Sequence, residues 1–243
     1  MVELGTNSMS GMQHNNRIIN TATGRSGTMA LALLGQLLEF PSHHQHTSYA
    51  GKEGDCIPFD LNNWPTKVDK YLKKVAAKLP QGDYFNSDWG VGWIMYPMHK
   101  TWPDIKWMIT VRNPQDTANS LRRIRWKHEA ERIDVNYYGM FWHSYYSWIL
   151  KQVMEMNPRP YYVDFDKLVS GEYDAAIYKL FGFDITDSLS LNRLQKMRRH
   201  WTQKHNATRG IYPVHDLMPS LVKQCEELKT QLMVECKTLR GET

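Results

Sequence analysis

Two short stretches of this sequence carry residues of the types that hold an anion. The first is Gly24-Arg25-Ser26-Gly27-Thr28. Two glycines let the backbone turn tightly and approach a ligand closely. A helix starting behind such a loop aims free N–H groups and the positive end of its dipole at whatever sits there, which favours phosphate or sulfate. The stretch does not fit the Gly-x-x-x-x-Gly-Lys-Ser/Thr loop of ATPases and GTPases, because its cation, Arg25, precedes the Ser-Gly-Thr. That argues against magnesium-dependent nucleoside triphosphate chemistry. The second stretch is Arg112-Asn113-Pro114-Gln115-Asp116-Thr117-Ala118-Asn119-Ser120. Arg112 supplies a planar fork matched to phosphate oxygens, and Ser120, two helical turns on, adds a hydroxyl donor. Each stretch also has a plainer reading. The first can be a turn that only joins a strand to a helix, and the second a helix start where Arg112 makes a salt bridge.

The surrounding pattern supplies the elements that such residues need. Arg17 to Ala22 reads as a short β-run ahead of the first stretch, and Met29, Leu33, Leu34, Leu37 and Leu38 repeat at helical spacing until Pro41. Residues 41–66 read as loop. A helix over Val68–Leu79 closes at Pro80-Gln81-Gly82, followed by a strand at Tyr84–Ser87 and a helix around Trp93–Lys100. Lys106 to Val111 is a continuous apolar run of buried-strand type, and Pro114 suits the first turn of the next helix. Tyr137–Met156 reads as a long aromatic helix, Pro160–Val163 as a strand, and Tyr173–Phe181, Leu191–His200 and Pro219–Leu239 as helices. Strands alternating with helices imply an α/β fold with a mostly parallel central sheet. Residues 1–16 are polar and read as a flexible tail, and residues 17–243 as one domain.

In this order, the two motifs resemble those of the sulfotransferase family. There a basic-Ser-Gly-Thr loop holds the 5′-phosphosulfate, and an Arg-Asn-Pro-x-Asp-x-x-x-Ser segment holds the 3′-phosphate. The likeness continues through Tyr96-Pro97, Trp102–Lys106, Tyr161–Leu168 and Leu180–Phe183, so it spans Arg17 to Phe183. It implies a three-layer P-loop sulfotransferase-like fold. The cofactor it implies is 3′-phosphoadenosine 5′-phosphosulfate (PAPS), released as 3′-phosphoadenosine 5′-phosphate (PAP), with no metal. Gly24, Arg25, Ser26, Gly27, Thr28 and Met29 would then cradle the 5′ end, with Arg25 on the charge of the leaving phosphate. Arg112 and Ser120 would grip the 3′-phosphate, and Lys204 and Arg209 would form a late basic segment over it. For the base that takes the acceptor's proton, bacterial members point to His46, 19 residues beyond Gly27, with His43 and His44 as neighbours that can substitute. Asp88, Glu53 and His99 are further candidates, and a mechanism with no base is another. The chain departs from eukaryotic cytosolic members in having Asn86-Ser87-Asp88 near their Lys-x-His strand, and in lacking their Gly-x-x-Gly-x-Trp-Lys close.

The bulk numbers agree with this class and exclude others. The chain has 243 residues, 42% apolar and 23% charged, enough to build a core. Its net charge of +5 suits an anionic ligand, but the densest basic stretch, Arg122, Arg123, Arg125 and Lys127, is too short for a nucleic-acid stripe. Cys56, Cys225 and Cys236 form neither a disulfide framework nor a zinc pattern. No stretch approaches the roughly 18 apolar residues of a membrane helix, and the first residues lack a signal core. The expectation is a cytoplasmic, soluble sulfotransferase acting on a hydroxyl or amine of a carbohydrate, lipid or small metabolite. The competing readings are a small P-loop kinase and a non-catalytic nucleotide-binding module of the same fold. The aromatic stripe Tyr137, Tyr138, Phe141, Trp142, Tyr145, Tyr146 and Trp148 reads mainly as core, with a few rings available to an acceptor pocket.

Overall fold

The computed structural model describes residues 16–23, 26, 28–44, 64–125, 134–183 and 214–239, with Asn192, Gln195 and Arg199. Among the described residues, six strands form one sheet: β1 (Arg17–Thr21), β2 (Ser42–His44), β3 (Tyr84–Ser87), β4 (Lys106–Val111), β5 (Tyr161–Asp164) and β6 (Lys237–Thr238). Their order is β2-β3-β1-β4-β5-β6, and every neighbouring pair is parallel. The helices are α1 (Thr28–Leu37), α2 (Trp64–Ala76), α3 (Met95–Thr101), α4 (Pro114–Arg125), α5 (Val135–Glu155), α6 (Phe165–Ser170), α7 (Asp174–Phe181) and α8 (Pro219–Glu235). A 3-10 helix over Gly90–Ile94 leads directly into α3.

The central strands are buried on both faces because helices cover both. Ile18 packs into a cluster with Leu31 and Leu34 of α1 and Ile177 and Phe181 of α7. Its neighbour Ile19 points the other way, into a cluster with Met95 and Met98 of α3, Trp142 and Ile149 of α5 and Leu228 and Leu232 of α8. The result is a three-layer α/β/α arrangement in which β4 reads as a nearly continuous hydrophobic run. Helix α5 shows why the long aromatic segment is helical. Trp142, Tyr145, Tyr146, Ile149 and Val153 fall at one-turn spacing and are all fully buried. Burying each such side chain is worth about 1.5–3 kcal/mol.

Two expectations need correction. Residues 41–66, read as loop, contain the edge strand β2 and the first turn of α2. Two histidines in three residues give no strand signal; what makes Ser42–His44 a strand is pairing with Phe85–Ser87 of β3. The last helix ends at Glu235, and Lys237–Thr238 then joins the sheet, Lys237 donating its N–H to Pro160 O at 2.8 Å. In α1 the inward residues are Leu31, Ala32 and Leu34, with Leu38 buried just past its end, while Met29, Leu33 and Leu37 are exposed. A helix with leucine on several faces does not announce which face meets the sheet. The helix expected at Leu191–His200 lies outside the described residues, apart from the three isolated positions. Among the described residues, no helix is long and apolar enough to cross a membrane.

Candidate functional site: the crevice between β1 and β4

Strands β1 and β4 are neighbours, yet their exiting chains go to opposite faces. From β1 the chain passes to α1 in one layer, and from β4 to α4 and α5 in the other. In open α/β sheets, this reversal opens a crevice beyond the carboxyl ends of the strands. The first anion motif follows β1 and the second follows β4. Two stretches 88 positions apart, judged by Gly24 and Arg112, therefore share one end of the sheet.

The first motif is held from below by buried hydroxyls. Ser26 is fully buried; its N–H donates to Thr23 O at 3.1 Å and its hydroxyl lies 2.6 Å from Thr23 Oγ1. Tyr146 of α5 donates its hydroxyl to Thr110 O at the end of β4 (2.6 Å) and accepts the N–H of Thr23 (3.3 Å). Its neighbour Tyr145 donates to Trp89 O at 2.7 Å. That commits the single phenolic proton, so the 2.7 Å contact with Thr21 Oγ1 has Thr21 as donor. Burial raises the pKa of both tyrosines, that of Tyr146 to about 12, so neither ionises near neutrality. Gly92 is required above this knot, since a Cβ there would lie 2.2 Å from the Tyr145 hydroxyl and 2.7 Å from Thr21 Oγ1.

The second motif is preset at its backbone. Trp142 Nε1 donates to Arg112 O at 3.2 Å, fixing the end of β4. Asn113 caps α4, its Oδ1 accepting the N–H of Asp116 at 3.2 Å, with Pro114 at the first helical position. The Arg112 guanidinium lies over the Phe165 ring at 4.9 Å. A guanidinium held by a cation–π contact can still offer its planar fork of N–H groups to a phosphate. Gln115 and Asn119 tie α4 to the segment before α8. Asn119 donates to His215 O and accepts His215 N–H, both at 2.9 Å, and Gln115 accepts Leu217 N–H at 2.9 Å.

The third side of the crevice comes from β2 and β3. Thr28, at the start of α1, places Oγ1 3.1 Å from Nε2 of His44 at the end of β2. Partial burial lowers the pKa of His44 below 6.5, and the charge of Asp88 opposes this more weakly. His44 is therefore mostly neutral at pH 7. Asp88 follows β3 and is fully buried; its N–H donates to Asn20 O and its carboxylate accepts Gly90 N–H, both at 2.9 Å. Beneath these, a hydrogen-bonded row crosses three strands, with Thr110 Oγ1 donating to Asn20 Oδ1 (2.7 Å) and Asn20 Nδ2 to Ser87 Oγ (2.8 Å).

No known family's sequence profile matches the chain, and no curated protein matches it. Solved structures do. A mouse sulfotransferase complexed with PAP matches at a TM-score of 0.52 over 90% of this chain and 84% of its own, with 14% sequence identity. A sulfotransferase from Mycobacterium avium matches at 0.50 over 89% and 75%, with 11% identity. This chain has the sulfotransferase fold.

Within that fold, the structure brings Ser26, Thr28, Asp88 and Arg112 to one end of the sheet, and Ser120 stands two turns into α4. Met29 stands in the first turn of α1 with its side chain half exposed. Gly24, Arg25 and Gly27 of the loop, the base candidates His46 and Glu53, and the late cations Lys204 and Arg209 lie outside the described residues. His99 lies away from this cluster in α3, 6% exposed and bonded through Nε2 to Asn157 O at 3.0 Å. The motifs did not reveal Tyr145, Tyr146, Thr21 and Thr23, which brace the loop. The two tyrosines are indistinguishable in sequence from the other core aromatics of this helix, Tyr138 and Trp142. His44 was legible only as a member of a histidine cluster, because the strand that aims it was not.

Proposed function

We propose that this protein transfers the sulfuryl group of PAPS to a hydroxyl or amine of a small-molecule, lipid or carbohydrate acceptor, releasing PAP. The observation that carries this reading is the convergence of the two anion motifs on the adjacent ends of β1 and β4, joined by the Ser26–Thr117 contact of 3.5 Å. Sulfuryl transfer, like phosphoryl transfer, asks the protein mainly for in-line positioning and charge stabilisation. The loop of Gly24 to Thr28 takes the 5′-phosphosulfate, with Arg25 on the charge that develops on the bridging oxygen. Arg112 and Ser120 take the 3′-phosphate, and Lys204 and Arg209 add to its charge. The fold supports this assignment, as does the PAP bound to the mouse protein that shares it.

His44 is the base this geometry favours. It is partly accessible, held beside Thr28 and mostly neutral at pH 7, which suits a group that must accept a proton. Asp88 is closed off from solvent and accepts a backbone N–H, so it serves as a brace and as a negative charge near His44. His46 and Glu53 remain as proposals from the sequence. The test is turnover of PAPS against a panel of hydroxyl and amine acceptors, with PAP release as the readout. Wild-type turnover that His44→Gln lowers about a hundredfold, within the usual range for a general base, supports the reading. PAP binding without turnover on any acceptor would favour the non-catalytic module.

A further inference from the structure

Thr28 and His44 share one hydrogen bond with a choice of direction. Thr28 has a single hydroxyl proton, and a neutral imidazole has a single N–H. Either Thr28 donates to the Nε2 lone pair and the ring proton sits on Nδ1, or Nε2–H donates to Thr28 Oγ1 and the lone pair sits on Nδ1. The 3.1 Å separation serves both. Local packing holds the pair together. Gln36 Nε2 donates to Ser42 O at 3.0 Å, and a Cβ on Gly35 would lie 1.9 Å from Ser42 Oγ, so α1 lies directly against β2. The position of His44 relative to Thr28 is thus set within one strand–helix unit.

An anion at the start of α1 removes the choice. A phosphate oxygen accepts and does not donate, so to bind it Thr28 must turn its proton outward. It can then only accept from His44. We propose that the donor nucleotide, on binding at Thr28, fixes His44 as the Nε2–H tautomer and leaves the Nδ1 lone pair to take the acceptor's proton. This deepens the sulfotransferase reading and rests on it. In the transfer step the acceptor oxygen or nitrogen forms a bond to sulfur and its proton passes to Nδ1. The bond from sulfur to the bridging oxygen breaks, and its electron pair leaves on the 5′-phosphate of PAP. Thr28 thereby couples occupancy of the donor site to readiness of the base, so productive binding is ordered, donor before acceptor. Asp88 is the charged group whose field reaches His44, and Thr28 is its hydrogen-bond partner among the described residues.

The measurement is two-bond proton–nitrogen correlation NMR on protein labelled with 15N-histidine, with and without saturating PAP. Of the ten histidines, His44 is assigned by the signal lost in His44→Gln, or in His44→Asn if the first variant does not fold. With PAP bound, His44 is expected as neutral Nε2–H, in wild type and in Thr28→Ser. In Thr28→Val, or Thr28→Ala should the first not fold, PAP is expected to leave the His44 tautomer unchanged. An Nδ1–H ring or an imidazolium in the PAP complex overturns the proposal, as does the same PAP response in the variants lacking the hydroxyl. In those cases PAP still binds and the sulfotransferase reading stands. Failure of wild type to bind PAP at all overturns both.

Discussion

The hydroxyl oxygens of Ser26 and Thr117, 91 residues apart, lie 3.5 Å from each other in the buried floor of the crevice. Thr117 spends its own proton on Asn113 O at 2.9 Å, so its oxygen is available to Ser26 only as an acceptor. The two anion motifs therefore touch through buried side chains. A serine that looks like a phosphate contact in the sequence also fastens the first loop to the helix of the second. The spacing between the two motifs is thereby set within the folded chain itself.

Tyr146→Phe tests the bracing from α5. Removing the hydroxyl leaves Thr110 O and Thr23 N–H without their buried partner, and an unsatisfied buried group costs about 1–3 kcal/mol. For a chain of this size that is a fall of about 2–4 °C in Tm per kcal/mol. Thermal unfolding checks it, and PAP affinity is expected to fall as well. An unchanged Tm would mean that the hydroxyl contributes nothing to holding the loop.

Gly92→Ala is expected to be destabilised by about 1–3 kcal/mol, the usual range for overpacking. The new methyl would meet the Tyr145 hydroxyl and Thr21 Oγ1, neither of which can yield without breaking its bond. Combining it with Tyr145→Phe should recover part of the loss, because the closest atom is gone. Denaturant unfolding of the two single variants and the double variant reads this coupling.

Turnover should fall with decreasing pH as His44 gains a proton. Because burial lowers its pKa, the midpoint of that limb lies below pH 6.5. Asp88 raises the His44 pKa, so Asp88→Asn should move the limb to lower pH still. The pH profile of kcat/KM for PAPS, which reports groups of the free enzyme, decides this. A limb above pH 6.5 in wild type, or an upward move in Asp88→Asn, would exclude His44 as the base.

The central elements were legible because their signals are local. Lys106–Val111 and Tyr84–Ser87 carry strand signatures in their own residues, and Pro114 marks its own helix start. What was not legible is long-range. Nothing in Arg17–Thr21 says that it lies between Tyr84–Ser87 and Lys106–Val111, and it is that adjacency which joins the motifs. Ser42–His44 becomes a strand only through a partner more than 40 residues away, so the histidine it aims was passed over in favour of His46. Tyr145 and Tyr146 read as core and are core. Their hydroxyls act at loop ends that only the folded chain brings within reach.

The most direct test of the donor site is thermal unfolding with PAP, compared with adenosine 5′-monophosphate and ATP–magnesium. At 100 times its dissociation constant PAP should stabilise the chain by about 2.7 kcal/mol, a rise of several degrees. Stabilisation by PAP that the monophosphate does not reproduce, and that Arg112→Ala abolishes, is the predicted result. Stabilisation by ATP–magnesium alone, or an Arg112→Ala variant that responds to PAP like wild type, would contradict it.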